Sequence, residues 1–379
     1  MGLCEAGQHL MHPLHANAQW PASRGLREHA ILQLCIFEDK PVQALYLRSF
    51  GSDNLSLAEH ALAEPSEHEV VVRLEAASVN PRDSQIIAGH FTPNVEFPLI
   101  PLSDGAGIVT SVGSAVSRFK VGDRVTSLFF PHWHIGEATS GERAISTGLE
   151  APGVAREVAV FHEQSLSAFP KHLSAAEAAC YPCAGLTAWS ALFDKSHIGE
   201  GSWVLVQGTG GVATMGLQLA KAAGAKVIVI SSSNDKLNQA AALGADHLIN
   251  YVDTPDWGQR AFELSGHGVD AVLEIGGTAT LENSLNAIRH GGHINIIGYM
   301  AGIDMGITVF PLIIKNANFH GIGTGNRESY ERLLDFVGAH EIHPVIHQRF
   351  PLAQLQQALH ALDTESPFGK VVVEMGGME

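Results

Sequence analysis

The sequence predicts an α/β protein in two parts: a β-rich domain, and a doubly wound parallel sheet covered by helices on both faces. Three observations carry this. A chain of 379 residues is long for one hydrophobic core and fits two domains. Over residues 41–169, short β-type runs are interrupted at close intervals by glycine and proline. Over residues 170–325, apolar runs alternate with amphipathic helical stretches, the pattern of a parallel sheet.

Residues 1–40 mix His9, His12, His15, Pro13 and Pro21 without a sustained period, and are expected to be a disordered or non-native extension. They lack the basic start and apolar run of a secretory signal. Strands are expected at 42–47, 69–74, 107–112 and 123–128, as in a small, partly open barrel. The parallel sheet is expected from strands at 204–206, 226–230, 247–249, 271–275 and 293–297. Helices at 329–337 and 352–362 and a closing strand at 370–373 follow. They are expected to return to the first domain, which would comprise 41–169 and 326–379, with 170–325 as the second domain.

The most informative segment runs from Trp203 to Ala213, WVLVQGTGGVA, and leads directly into an alanine-rich helix. An apolar strand entering Gly208, Thr209, Gly210, Gly211 and Val212 suits a dinucleotide pyrophosphate: the glycines permit a tight turn, and the helix start offers free N–H groups. Ala213 stands at the third glycine position, a permitted variant. The helix stops at Gly224 and a second apolar strand follows, which completes the βαβ unit of a Rossmann domain.

NAD-specific domains place an acidic residue at the end of that second strand. Here Ser231, Ser232 and Ser233 occupy the place, with Lys236 close behind, so NADP(H) is favoured. NAD(H) stays possible, because Asp235 offers a carboxylate to the ribose unless it caps the helix. Gly276 and Gly298–Tyr299, after the fourth and fifth strands, are expected near the nicotinamide half or as plain strand-end turns.

A formal net charge of −16 argues against a nucleic-acid or anionic-membrane surface, so phosphate must be held by local geometry. Four cysteines are too few for a disulfide framework and fit a reducing, cytoplasmic setting. Cys180-Tyr181-Pro182-Cys183 has redox spacing but is expected to pack at the domain junction. No apolar run is long enough to span a bilayer.

The segments 76–83, 101–107, 119–125, 184–189, 243–247 and 368–372 together resemble the medium-chain dehydrogenase/reductases, on their zinc-lacking, quinone-oxidoreductase-like side. The resemblance covers nearly everything after Pro41. It implies a GroES-like catalytic domain joined to the Rossmann domain, an active site between them, a small-molecule substrate and a homodimer pairing strand 318–322. Where zinc-dependent members hold their metal, the matching positions carry Asn80, Leu102-Ser103-Asp104 and Cys183. Amide and hydroxyl are poor zinc ligands, and the stretch 124–153 lacks the four cysteines of a structural zinc lobe. No zinc is expected, and His132-Trp133-His134 is expected to be an ordinary polar loop.

Without a Lewis acid, charge developing on a substrate oxygen must be met by hydrogen-bond donors. Asn80, Arg82, Thr187 and the Tyr299 hydroxyl are the candidates, with Asp83 orienting Arg82 or pairing with it structurally. The expected activity is hydride transfer to a conjugated carbonyl or quinone, with Phe129, Phe130 and Trp133 lining a pocket or packing their loop. An alcohol dehydrogenase and a non-enzymatic NADPH-binding protein are the alternatives.

Overall fold

A strand covered by helices on both faces is expected to be nearly apolar throughout, and β8 (Trp203–Gln207) is buried at every position, its one amide, Gln207, included. It lies at the middle of a six-stranded parallel sheet with β9 (Lys226–Ser231), β10 (His247–Asn250), β11 (Val269–Glu274), β12 (Ile288–Ile296) and β13 (Asn318–Gly321). The spatial order is β10-β9-β8-β11-β12-β13. The strand order therefore reverses beside β8, the switch point at which open α/β sheets bind ligands. The computed structural model describes residues 42–304, 306 and 308–376; the expected extension at 1–40, with its histidines, lies outside the described residues.

The β-rich part is a seven-stranded sheet. It joins β3 (Glu69–Val79), β4 (Asp104–Val112), β5 (Arg124–Ser127), β6 (Val158–His162) and β7 (Leu166–Ala168) to the last strands, β14 (Ile346–Pro351) and β15 (Lys370–Glu374). β15 pairs antiparallel with β3, so the chain end does return to the first sheet. A separate hairpin of β1 (Gln43–Leu47) and β2 (Leu55–Glu59) completes the strands.

Ten helices fill the connections among the described residues: α1 (Pro81–Ala88), α2 (Ala175–Ala178), α3 (Leu186–Trp189), α4 (Gly211–Ala222), α5 (Asn234–Ala242), α6 (Trp257–Ser265), α7 (Leu281–Ala287), α8 (Val309–Lys315), α9 (Arg327–Ala339) and α10 (Leu355–Thr364). Turns of π-helix at Tyr181–Gly185 and Ser190–Lys195 flank α3. One apolar core fills the β-rich sheet, a second lies under one face of the parallel sheet, and a third joins α2, α3, α4 and α9 to both sheets. That shared core fixes the two sheets around the segment 180–190.

The structure corrects some local expectations. β12 begins at Ile288, five residues before the expected strand, because Ile288 pairs with Val269 ahead of a bulge. Ser233 caps α5, its hydroxyl accepting from the Lys236 N–H; Asp235 lies in the first turn, so it is not the cap.

Candidate active site

The glycine turn is built from β8 and α4. Gly208 has φ +74°, a conformation that disfavours a side chain, and its N–H donates to Ile230 O at 2.8 Å. α4 begins at Gly211 with no side-chain cap, so its first N–H groups, at Gly211, Val212 and Ala213, have no intrahelical partner. With the helix dipole, these groups fit an anion held at the turn. Thr209 and Gly210 also receive the other sheet: the Gly369 N–H donates to Thr209 O at 2.9 Å, and Gly210 and Gly369 form an isolated β-bridge.

Beyond the end of β9, the Ser231 hydroxyl accepts from the Ser233 N–H at 3.2 Å and Ser232 is exposed. The Lys236 ammonium donates to Ser366 O, so this lysine lies at the junction of α5 with the segment before β15. β9 ends in serine, with no carboxylate at its last position. At the end of β11, the buried Glu274 carboxylate accepts from Gln207 Nε2 at 2.7 Å and from the N–H groups of Gly276 and Gly277, each at 3.0 Å. The Gly276 N–H is thereby spent inside the loop. A Cβ on Gly298 would meet Ile275 O at 2.6 Å, so that strand end needs glycine. Tyr299 is half exposed, and its hydroxyl donates to Gln85 of α1 at 2.8 Å.

Polar side chains buried between the sheets form a closed network. Asn80 directly follows β3 and caps α1 in a capping box with Asp83, whose Oδ2 accepts the Asn80 N–H at 2.8 Å. The Asn80 Nδ2 donates to Asp104 Oδ2 at 3.0 Å and lies 3.5 Å from Ser103 Oγ. Its Oδ1 accepts from the Lys370 ammonium, which also donates to Val79 O at 2.8 Å. Ser103 Oγ donates to Asp104 Oδ1 at 2.6 Å, and the Cys183 N–H donates to Asp104 Oδ2 at 3.1 Å. The amide of Asn80, singled out in the sequence as a donor to substrate, is committed within the protein and has no free N–H for a substrate.

Burial pushes the Asp83 carboxyl up to about 6, against the pull of Arg82, and leaves its Oδ1 without a hydrogen-bond partner. Burial also raises the Asp104 carboxyl, with Lys370 as the main opposing influence. The Cys180 thiol is pushed up to about 12 by burial, and that of Cys183 is raised by the same cause. Both thiols are free, and thiolates are disfavoured at both, so the pair packs the junction.

Arg82 is held on one edge by Ser146 Oγ at 2.5 Å and Thr147 O at 3.1 Å. Its guanidinium lies over Phe129 at 4.7 Å and Phe91 at 5.6 Å from the ring centroids. Its remaining N–H groups have no protein partner among the described residues. Thr187 is buried in α3, and its hydroxyl likewise has no protein partner. Phe129 and Phe130 are buried edge to face, 4.8 Å apart, with Trp133 against Phe130. These rings pack the loop and carry Arg82 and Arg143 on their faces. His132 and His134 have no metal-binding neighbourhood: no group of three His, Cys, Asp or Glu suited to a metal occurs among the described residues.

The sequence had singled out no role for Lys370 or Gly369, and none for the Glu274 network. A lysine opening the otherwise apolar run KVVV was the available signal for the first of these.

Residues 66–171 match a family model described as the alcohol dehydrogenase GroES-like domain, and residues 211–339 match one described as zinc-binding dehydrogenase. A zinc-type alcohol dehydrogenase-like protein of Schizosaccharomyces pombe is 38% identical over 333 residues, 86% of this chain and 96% of the relative. A crystal structure of a candidate alcohol dehydrogenase from Sinorhizobium meliloti 1021 superposes with a TM-score of 0.84 at 43% identity, over 89% of this chain and 99% of that one. An NAD-dependent alcohol dehydrogenase structure matches at 0.80 and 32% identity, over 88% of this chain and 100% of that one.

Proposed function

The chain belongs to the medium-chain dehydrogenase/reductase family, and from that premise we propose that this oxidoreductase uses NADPH to reduce a conjugated carbonyl or quinone without zinc. The observation that carries the reading is the closed polar network in the cleft. The donor set there is an amide, a hydroxyl, a carboxylate already engaged by three donors, and a high-pKa thiol, with a buried ammonium on the amide oxygen. Zinc needs thiolate, imidazole or free carboxylate, and a neighbouring ammonium repels it. Those residues do not fit zinc, and no step is assigned to it.

The dinucleotide does fit. The free N–H groups of Gly211, Val212 and Ala213 and the glycine at positive φ suit its pyrophosphate, and Ser231 to Ser233 with Lys236 suit a 2′-phosphate. When bound, the nicotinamide supplies the hydride. The chain then has to hold the substrate oxygen and meet its growing negative charge. Arg82 fits that task, being a fixed guanidinium with N–H groups to spare, and the Thr187 hydroxyl is the second free donor. Asn80 and Asp83 set the start of α1 and thereby the position of Arg82.

The test is NADPH oxidation across a panel of enones, alkenals and quinones, with and without chelator. Turnover unaffected by chelator is expected, and chelator-sensitive alcohol oxidation without enone reduction would sink the reading. The NAD-dependent alcohol dehydrogenase among the matches supports the second reading, alcohol oxidation with NAD, which the same assay separates. We also assign the protein to the cytoplasm as a homodimer; among the described residues no helix is long and apolar enough to cross a membrane.

A further inference from the structure

We propose that Lys370 is the positioning residue of the cleft: its buried ammonium is the fixed counter-charge of the polar network and ties that network to the dinucleotide turn. Lysine is rarely buried without a purpose, and Lys370 is 4% exposed. Its ammonium holds Asn80 Oδ1 and Val79 O, which orients the amide so that the Asn80 Nδ2 can face Asp104. Exchanging the two ends of that amide would set an N–H against an ammonium and an oxygen against a carboxylate. The lysine thus fixes which way Asn80 points, and Asn80 in turn starts the helix that carries Arg82.

The same side chain reaches the turn. A Cβ added to Gly211 would stand 2.4 Å from Lys370 Cδ, so the lysine stem lies directly against the first residue of α4. The backbone just before it is joined to the turn by the Gly369–Thr209 hydrogen bond and the Gly210–Gly369 bridge. One residue therefore touches both the helix start that suits the pyrophosphate and the cluster at the substrate end. The charged and titratable groups acting on this site are Asp83, Asp104, Cys180, Cys183 and Arg82, and the two aspartates are the anions that an ammonium here balances. The disagreement between the zinc-binding family description and this donor set acquires a physical content: the site's positive charge is covalently part of the chain.

Only the kinetic arm of the test rests on the proposed reduction. In the full-length protein, Lys370→Met keeps the stem and removes the charge. It is expected to lower kcat about a hundredfold, the usual scale for a reacting group displaced by about an ångström. NADPH affinity, read by fluorescence, should stay near wild type, and Lys370→Arg should recover part of kcat. Independently of any substrate, Lys370→Met should lower the melting temperature, and adding Asp104→Asn should restore most of that loss by removing the unbalanced carboxylate. Two results overturn the proposal. One is a Lys370→Met variant with wild-type kcat whose only defect is weaker NADPH binding, which makes the lysine a cofactor ligand alone. The other is additive melting losses in the double variant, which means no charge coupling. If the wild-type protein reduced no carbonyl or quinone, the melting comparison would still decide.

Discussion

Arg82 is stacked on Phe129 and pinned by Ser146 and Thr147, so its charge is placed before any substrate arrives. Such preorganised donors at a developing oxyanion are worth about two to three powers of ten in rate. Arg82→Gln is therefore expected to lower kcat by about that factor while leaving NADPH affinity unchanged; steady-state kinetics with a fluorescence titration checks both. Asp83 makes a prediction about pH. Its folded carboxyl sits near 6, above the ordinary value of 3.8, so the folded state holds its proton more tightly than the unfolded chain. Its contribution to stability is complete below the unfolded value and is lost as pH rises through about 6, a total of about 3 kcal/mol at about 1.4 kcal/mol per pH unit. Asp83→Asn should remove that part of the slope. Urea denaturation across the acid range measures it, and a variant with an unchanged slope would show that Asp83 does not titrate there.

At the level of elements, the βαβ turn works because three pieces converge: the β8 end, the α4 start and the segment before β15. Gly211→Ala adds a methyl where Lys370 Cδ already stands, while alanine is itself favourable in a helix. The variant should lose dinucleotide affinity because the methyl pushes the start of α4, with its free N–H groups, off the lysine stem, and not through loss of helix; calorimetric titration with NADPH and circular dichroism separate the two. The glycine turn, the serines after β9 and the strand alternation were legible in the sequence because their chemistry is local. Asn80 stood out in the sequence, but its bonding did not. Its amide oxygen is taken by a lysine 290 residues away, and no local pattern announces such a contact. Gly276 reads as a backbone approach to a ligand, whereas its N–H serves Glu274, a carboxylate that looks in sequence like an ordinary strand end. The two π-helical turns around α3 also escape periodicity, since they interrupt a helix whose apolar residues are buried on every side.

For the whole molecule, the parallel sheet ends in two edge strands, β10 and β13, and next to the β13 end of the sheet lies α8, a helix without a single buried residue. Val309, Phe310, Ile313 and Ile314 on that helix are exposed by 62%, 69%, 64% and 52%, and Met300 and Ile303 by 78% and 77%. An apolar surface of this kind beside an open strand edge is the signature of an interface, because isolated chains rarely keep contiguous apolar patches in water. The homodimer proposed above would use this face: two β13 edges related by a two-fold axis would extend one sheet into the next, with the α8 faces covering each other. The chain's net charge of −16 makes an acidic partner unfavourable over long range, so association has to come from this uncharged patch. Phe310→Glu places a charge in the middle of it. Wild-type protein is expected to run as a dimer in light scattering coupled to gel filtration. The variant is expected to run as a monomer with unaltered NADPH binding, since the glycine turn lies on the other side of β11 from this edge. A wild-type protein that is monomeric at high concentration, or a Phe310→Glu variant that stays dimeric, would show that the patch serves something other than self-association.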